Sequence, residues 1–254
     1  MEHYFLSYSG GKDSTASAIL AHELGLHLTI VYSHFYFDKS RNIPATLPEH
    51  EQFIQNVAFP KFKEWGFDII QVEPDIDYVS YFFRKIQRGV NSGCDYGFPI
   101  PIKSSCWANS CLKVKALNKC KSIIGDNPQI IGIAFDEKER YTHICTGNKI
   151  SLLYMQGITE NDAKHICSDY GLLSPIYEHF ARDGCWFCNQ MSIGSSMYIN
   201  EHYPELVSEL ISLEQKQNSK PNCQYFARGH MTVTEFFNRK YKEKSCYNYL
   251  DKFF

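Results

Sequence analysis

The chain has 254 residues, with 26 Lys and Arg against 28 Asp and Glu, for a net charge of −2. That length allows one large α/β domain, or one domain with a helical appendix. The 44% hydrophobic and 21% charged residues are those of a globule and exclude a disordered chain. A near-neutral balance also excludes nucleic-acid binding driven by bulk charge alone, so a nucleic-acid substrate is expected to need a local basic patch or a partner subunit. No apolar run approaches the roughly 18 residues of a membrane helix, and no charged-then-apolar leader precedes the first apolar run. A cytoplasmic protein with no membrane partner is the expectation.

Residues 4–8 (Tyr-Phe-Leu-Ser-Tyr) read as a strand, and residues 15–21 open a helix that Gly25 stops. Between them stands Ser9-Gly10-Gly11-Lys12-Asp13-Ser14. A strand, a small-residue turn and a helix aim free backbone N–H groups at an anion. Gly10 and Gly11 let the backbone approach oxygen atoms closely. Lys12 adds a mobile positive charge in a solvent-reached loop, and the Ser9 and Ser14 hydroxyls add donors. Asp13 is placed to cap the helix or to reach a bound Mg²⁺. The spacing is neither that of the Walker loop nor that of the dinucleotide fingerprint.

Residues 27–37 read as a second strand, with Tyr32, Ser33 and His34 near its end, and residues 38–48 as a loop. Residues 49–65 follow a helical period that Pro60 kinks or breaks. Residues 67–72 give a third strand and residues 78–87 a short helix. This β-α-β-α-β-α order argues a parallel sheet with right-handed crossovers. Residues 89–105 read as a loop suited to a lid. A helix follows Cys106-Trp107-Ala108-Asn109-Ser110-Cys111-Leu112-Lys113. Residues 129–135 form a fourth strand buried on both faces. It ends in Asp136-Glu137-Lys138-Glu139-Arg140, at the carboxyl edge where open α/β sheets place ligand contacts. Residues 150–155 read as a fifth strand. Thr159 and Asp162 form a near capping box for the next helix, and the tail carries helices at 205–217 and 232–242.

Ten cysteines in a cytosolic chain invite a metal reading before a disulfide one. Cys185 and Cys188 form a CxxC pair, and Cys106 and Cys111 lie five positions apart. Four thiolates are enough for Zn²⁺ or a [4Fe–4S] cluster, and the spacing does not choose between them. The alternatives are a redox CxxC pair and cysteines buried as small hydrophobes.

The loop at Ser9–Ser14 resembles the SGGKDS loop of the PP-loop superfamily, the N-type ATP pyrophosphatases, where it grips the departing pyrophosphate. The chain is similar to the phosphoadenosine-phosphosulfate-reductase family within that superfamily, especially its phage and mobile-element forms. Besides the loop, the resemblance rests on Cys111-Leu112-Lys113-Val114-Lys115 and on Gly132-Ile133-Ala134-Phe135-Asp136-Glu137-Lys138-Glu139-Arg140, close to the family's GIRxDExxRR. It extends through Gly157 to Ala163, Pro175-Ile176-Tyr177-Glu178-His179-Phe180, Gly184-Cys185-Trp186-Phe187-Cys188 and His202-Tyr203-Pro204-Glu205-Leu206. Two departures stand out. The family's Arg in GIRxDE is Ala134 here, and the tail Ser245-Cys246-Tyr247-Asn248-Tyr249-Leu250 lacks the reductases' Glu-Cys-Gly-x-His.

The resemblance implies a Rossmann-like (adenine nucleotide alpha hydrolase-like) α/β fold, with a parallel sheet, helices on both faces and a C-terminal helical extension. It places a nucleotide-binding domain over 1–183 and a CxxC segment with helices over 184–254. ATP with Mg²⁺ is the implied ligand, cleaved to AMP and pyrophosphate to adenylylate a substrate in sulfur transfer to a nucleic acid or nucleotide. Lys12, Asp13, Lys113 and Arg140 are the implied catalytic residues. Ser7, Ser9, Gly10, Gly11, Ser14, Ser33, Gly132, Asp136 and Glu137 join Lys12 and Asp13 in holding the nucleotide, and Cys106, Cys111, Cys185 and Cys188 hold the metal. A sulfonucleotide reductase, or a non-catalytic nucleotide-binding subunit of a larger assembly, is the alternative. A homo-oligomer is compatible with either.

Overall fold

The structure, a computed structural model, describes residues 2–100 and 106–239. Strand β1 (His3–Tyr8) leads through the small-residue turn into helix α1 (Lys12–Glu23), and β2 (His27–Ser33) returns parallel to β1. A two-stranded hairpin follows, β3 (Tyr36–Asp38) against β4 (Ile43–Pro44). Next come α2 (Pro48–Phe53), a π-helical stretch Ile54–Ala58 and α3 (Phe59–Glu64), which run on as one interrupted helix. Pro60 carries no N–H and its ring crowds the preceding turn, so the widened turn ahead of it absorbs the misfit and no break results. Strand β5 (Asp68–Val72) and α4 (Tyr78–Phe82) complete the first half.

The second half opens with a π-helical stretch Ala108–Lys113 feeding α5 (Val114–Asn118) and α6 (Lys121–Ile124). Strand β6 (Gln129–Ile131), α7 (Lys138–Ile144), β7 (Lys149–Ile150), α8 (Leu152–Met155) and α9 (Glu160–Asp169) follow, then a 3₁₀ turn at Pro175–Glu178. Helices α10 (Ile193–His202), α11 (Pro204–Lys216) and α12 (Val233–Phe237) end the described chain, with a 3₁₀ turn Pro221–Cys223 between the last two.

The main sheet has the order β5-β2-β1-β6-β7, and every pairing in it is parallel. Successive residues of a strand point to opposite faces, and both faces are covered. Leu6, Tyr8, Ile30, Tyr32 and Ile130 pack with α1, the α2–α3 helix, α8 and α9. Phe5 and Val31 face the other way, onto Leu117, Cys120 and Ile124. The architecture is therefore α/β and Rossmann-like, as the element order predicts. From β1 the chain builds outward to β5 and then crosses to β6, so the topological switch point lies between β1 and β6.

A second core is aromatic. Phe37, Tyr78, Phe82, Phe98, Trp186, Phe226, Phe236 and Phe237 are all fully buried in it. The hairpin and α4, both before residue 184, share this core with α10, α11 and α12. Trp186 ties the pieces together, its backbone N–H donating to the Ala45 carbonyl at 3.1 Å and its Nε1 to the Pro44 carbonyl at 2.8 Å.

Several expected elements differ. Residues 27–37 split at Ser33, and Tyr36 and Phe37 enter the first strand of the hairpin. The helix expected over 78–87 stops at Phe82. The fourth strand ends at Ile131, and Gly132 after it packs against the Asp13–Ser14 backbone. Residues 152–155 are helical rather than extended, since Ser151 Oγ accepts the Tyr154 N–H at 3.2 Å and starts a turn. The capping box at Thr159 and Asp162 is present. Residues 101–105, and 240–242 of the last expected helix, lie outside the described residues, as does Cys246. Among the described residues no helix is long and apolar enough to cross a membrane.

Candidate functional site

The Ser9–Ser14 segment leaves the carboxyl end of the central strand and enters α1 at the switch point. Its own hydroxyls fix its shape. Ser14 Oγ accepts the Ser9 N–H at 3.2 Å and donates to the Gly11 carbonyl at 2.9 Å, while Ser9 Oγ accepts the Gly11 N–H at 3.3 Å. Gly10 sits at φ +85°, a region that favours glycine. Gly11, not Asp13, is the N-cap, and it has no side chain with which to cap the helix. The amino end of this 12-residue helix therefore keeps its partial positive charge for a ligand.

Lys12 is buried, 7% exposed, not in the solvent-reached position expected of it. Being the first residue of α1, it is pinned from both chain directions. Its N–H donates to the Tyr177 hydroxyl at 2.7 Å, and its carbonyl accepts from the Cys167 thiol at 3.2 Å. The ammonium donates to Asp13 at 2.8 Å and to Glu160 at 3.1 Å. Burial alone disfavours the charged ammonium, but the hydrogen bonds and charges of Asp13 and Glu160 outweigh it and raise the Lys12 pKa. Burial raises the Asp13 pKa, Lys12 opposes that shift, and the charges of Glu160 and Glu137 add to it.

Gly132, just past β6, closes the other side of the crevice. A Cβ there would stand 2.7 Å from the Asp13 carbonyl carbon and the Ser14 nitrogen, so only glycine lets the post-β6 segment pass against the loop. Asp136 and Glu137 follow it. Asp136 accepts the Glu160 N–H at 3.1 Å and so positions the residue that pairs with Lys12. Glu137 accepts from the Ala134 N–H at 3.3 Å and forms an ion pair with Arg140 at 2.9 Å, leaving Arg140 half-exposed at the rim. Ser7 stays within the sheet, its hydroxyl accepting from Gln129 Nε2 at 2.8 Å.

On the β2 side, Ser9, Tyr32, Ser33, His34, Phe35, Thr46 and Lys113 line a narrow pocket at the carboxyl ends of β1 and β2. Ser33 Oγ donates to the Lys113 carbonyl at 3.4 Å, and the Lys113 ammonium lies 6.0 Å from the Phe35 ring centre. Glu51 anchors this wall, accepting from Tyr32 at 3.1 Å, Thr46 at 3.0 Å and Gln55 at 2.9 Å. Of the sequence-expected residues, then, Ser9 to Ser14, Gly132, Asp136 and Glu137 gather at the switch point. Ser33 and Lys113 line the adjoining pocket, Arg140 stays at the rim on Glu137, and Ser7 stays within the sheet.

Four site residues carry no motif of their own. Asp183 lies against the loop, its carboxylate 2.6 Å from where a Cβ on Gly11 would stand. Trp186, three residues on, is the anchor that puts it there. Glu160 and Tyr177 fall inside the segments that carry the family resemblance, which was the available signal for them. His50 had none.

The four thiols do not form a ligand set as placed. Among the described residues, no group of three or more His, Cys, Asp or Glu is arranged to hold a metal ion. Cys106, Cys185 and Cys188 are close enough to influence one another, and burial pushes the Cys185 pKa up to about 12. Cys111 accepts from the Tyr81 hydroxyl at 3.2 Å.

Comparison with known proteins finds no matching family model and no matching curated protein. A solved structure of a predicted subunit of tRNA methyltransferase from Methanocaldococcus jannaschii matches 72% of this chain and 95% of its own, at 16% identity and a TM-score of 0.27. A likeness that loose carries no argument.

Proposed function

We propose that the chain is an ATP-binding enzyme of the PP-loop type, which cleaves ATP between the α- and β-phosphates and transfers AMP to an oxygen of its substrate. One observation carries the reading. A glycine-rich loop with a buried lysine leaves the central parallel strand at the switch point and starts a long helix without a side-chain cap. Backbone N–H groups, an uncapped helix dipole and an ammonium converge there, a constellation suited to a polyphosphate.

In the proposed step a substrate oxygen attacks the α-phosphorus and loses its proton. The bond from that phosphorus to the α–β bridging oxygen breaks, and pyrophosphate leaves. The loop N–H groups and Lys12 stabilise the charge gathering on the leaving group, the kind of electrostatic effect that dominates such reactions. Lys12 is held by two carboxylates in the free protein, so a phosphate oxygen would take the place of one of them. Asp13, released from Lys12, would then be available to a cation. Mg²⁺ is normally held by one or two carboxylates plus phosphate oxygens, so it needs no larger protein cage; bound there, it would neutralise phosphate charge. Lys113, at the pocket that adjoins the loop, is the proposed contact to the α-phosphate or to the substrate anion.

The acceptor is proposed to be a nucleic acid or nucleotide, with a local basic patch or a partner subunit supplying the positive surface. Cys106, Cys111, Cys185 and Cys188 are the proposed thiol set for zinc or iron–sulfur. Metal analysis of anaerobically purified protein tests that point by itself.

The test of the main proposal is ATP labelled at the α-phosphate, with release of labelled AMP and of pyrophosphate followed in wild type and Lys12→Ala. Turnover lost with Lys12 supports the reading. Undiminished turnover in that variant, or binding of a sulfonucleotide but not of ATP, overturns it.

A further inference from the structure

His50 stands behind the loop, 1% exposed, on the first turn of α2. Its ring is fixed on one side, Nδ1 lying 2.8 Å from the buried Ser174 hydroxyl. The other nitrogen, Nε2, is buried and makes no well-formed hydrogen bond, its one backbone hydrogen-bonding contact being with Ser9. It is aimed at the loop, 2.8 Å from where a Cβ on Gly10 would stand, and it is the Ser9 backbone that it faces. A buried ring nitrogen without a well-formed hydrogen bond is costly, and this one sits against the loop that leads into α1. The ring lies nearly parallel to Phe53, at 6.4 Å between ring centres.

From these positions we infer that His50 acts through the loop backbone on the polyphosphate it holds, taking up a proton as the anion enters and so serving as a second, switchable positive charge behind the Ser9–Gly10 segment. The inference rests on the proposal that the loop holds a polyphosphate and adds a residue to that site. The charged groups facing the ring are Asp183 from the segment anchored by Trp186, Lys113 from the helix beyond the pocket, and Glu51 from its own helix. Burial lowers the His50 pKa below the usual histidine value, and Lys113 works the same way. Asp183, Glu51 and the Ser9 backbone work against them. The free protein thus holds the ring neutral at pH 7, and two or more phosphate charges nearby favour the imidazolium. Linkage then requires that affinity rise as pH falls, by up to about tenfold per pH unit in the window between the free and bound titrations.

The experiment is calorimetric titration of the full chain with Mg²⁺-pyrophosphate and with a non-hydrolysable ATP analogue, from pH 6 to 8, in two buffers of different ionisation enthalpy. Wild type is expected to take up protons on binding. His50→Gln keeps an amide donor but cannot titrate, so it is expected to bind with that uptake lost and with a flatter pH profile. The ligand's own titration is common to both proteins and cancels in the comparison. Equal uptake in the two proteins overturns the role of His50 while leaving the nucleotide reading intact. Wild type that binds neither ligand overturns both. Should His50→Gln fail to fold, NMR of histidine-labelled wild type decides instead. The His50 ring is expected to titrate at higher pH with pyrophosphate bound, and an unmoved titration overturns the inference.

Discussion

The Lys12 ammonium donates to the Glu160 carboxylate at 3.1 Å across 148 residues of sequence. That contact joins the amino ends of two helices, α1 and α9, on the same side of the sheet, and it makes the loop lysine part of the folded core. Asp136, bonded to the Glu160 N–H, extends the link to the segment after β6. In the proposed reaction, phosphate would therefore meet a lysine already desolvated and already charged.

Lys12→Ala is expected to lower turnover about 10²- to 10³-fold, the usual cost of removing one preorganised group at a developing oxyanion. It also leaves Asp13 without its partner in a mostly buried place, so a stability loss of about 1–3 kcal/mol should accompany it. Pyrophosphate release and urea denaturation measure the two effects separately.

Tyr177→Phe removes only an oxygen, yet that oxygen accepts the Lys12 N–H at 2.7 Å. A buried amide left without an acceptor costs about 1–3 kcal/mol. The variant should be destabilised by that amount and should bind ATP more weakly, because the first turn of α1 loses its brace. Melting temperature and calorimetric affinity check it.

Gly132→Ala puts a methyl group 2.7 Å from backbone atoms of Asp13 and Ser14, where no flexible side chain can yield. Overpacking of this kind costs about 1–3 kcal/mol. Here the displacement falls on the loop itself, so nucleotide affinity should drop more than stability does. Gly157→Ala is the control: its Cβ meets nothing within 4 Å, but its φ of +71° strains the backbone. It should lose stability alone.

Stability should fall steeply above about pH 9. Burial raises the pKa of Cys167 and Cys185 to about 12, and raises the phenols of Tyr8, Tyr32, Tyr78 and Tyr177 above their usual value. Lys12 is raised as well. In each case the folded state keeps a proton that the unfolded chain has released, so rising pH favours unfolding, by about 1.4 kcal/mol per pH unit and per group. His50 works at the other end: its lowered folded pKa means that stability is lost as pH falls below about 6.5. Urea midpoints measured from pH 5 to 11 should trace both flanks, and His50→Gln should flatten the acid one.

By itself the sequence determined the α/β class, the parallel order of the first strands and the place of the loop. Strand period, glycine punctuation and the run from strand into helix are local properties, and local backbone preference enforces them. The Thr159 cap was legible for the same reason. Tertiary structure decided what surrounds the loop. His50 and Asp183 reach it only because α2 and the Trp186 anchor fold back across the sheet, and no local pattern encodes such a meeting. Residues 152–155 show the limit from the other side: their apolar run suits a buried strand or a buried helix equally well, and the Ser151 hydroxyl at the turn chose the helix. The cysteines mark a similar boundary. Spacing allowed four thiols to meet, but a long separation leaves their meeting to the packing of the aromatic core, which holds Cys111 against Tyr81.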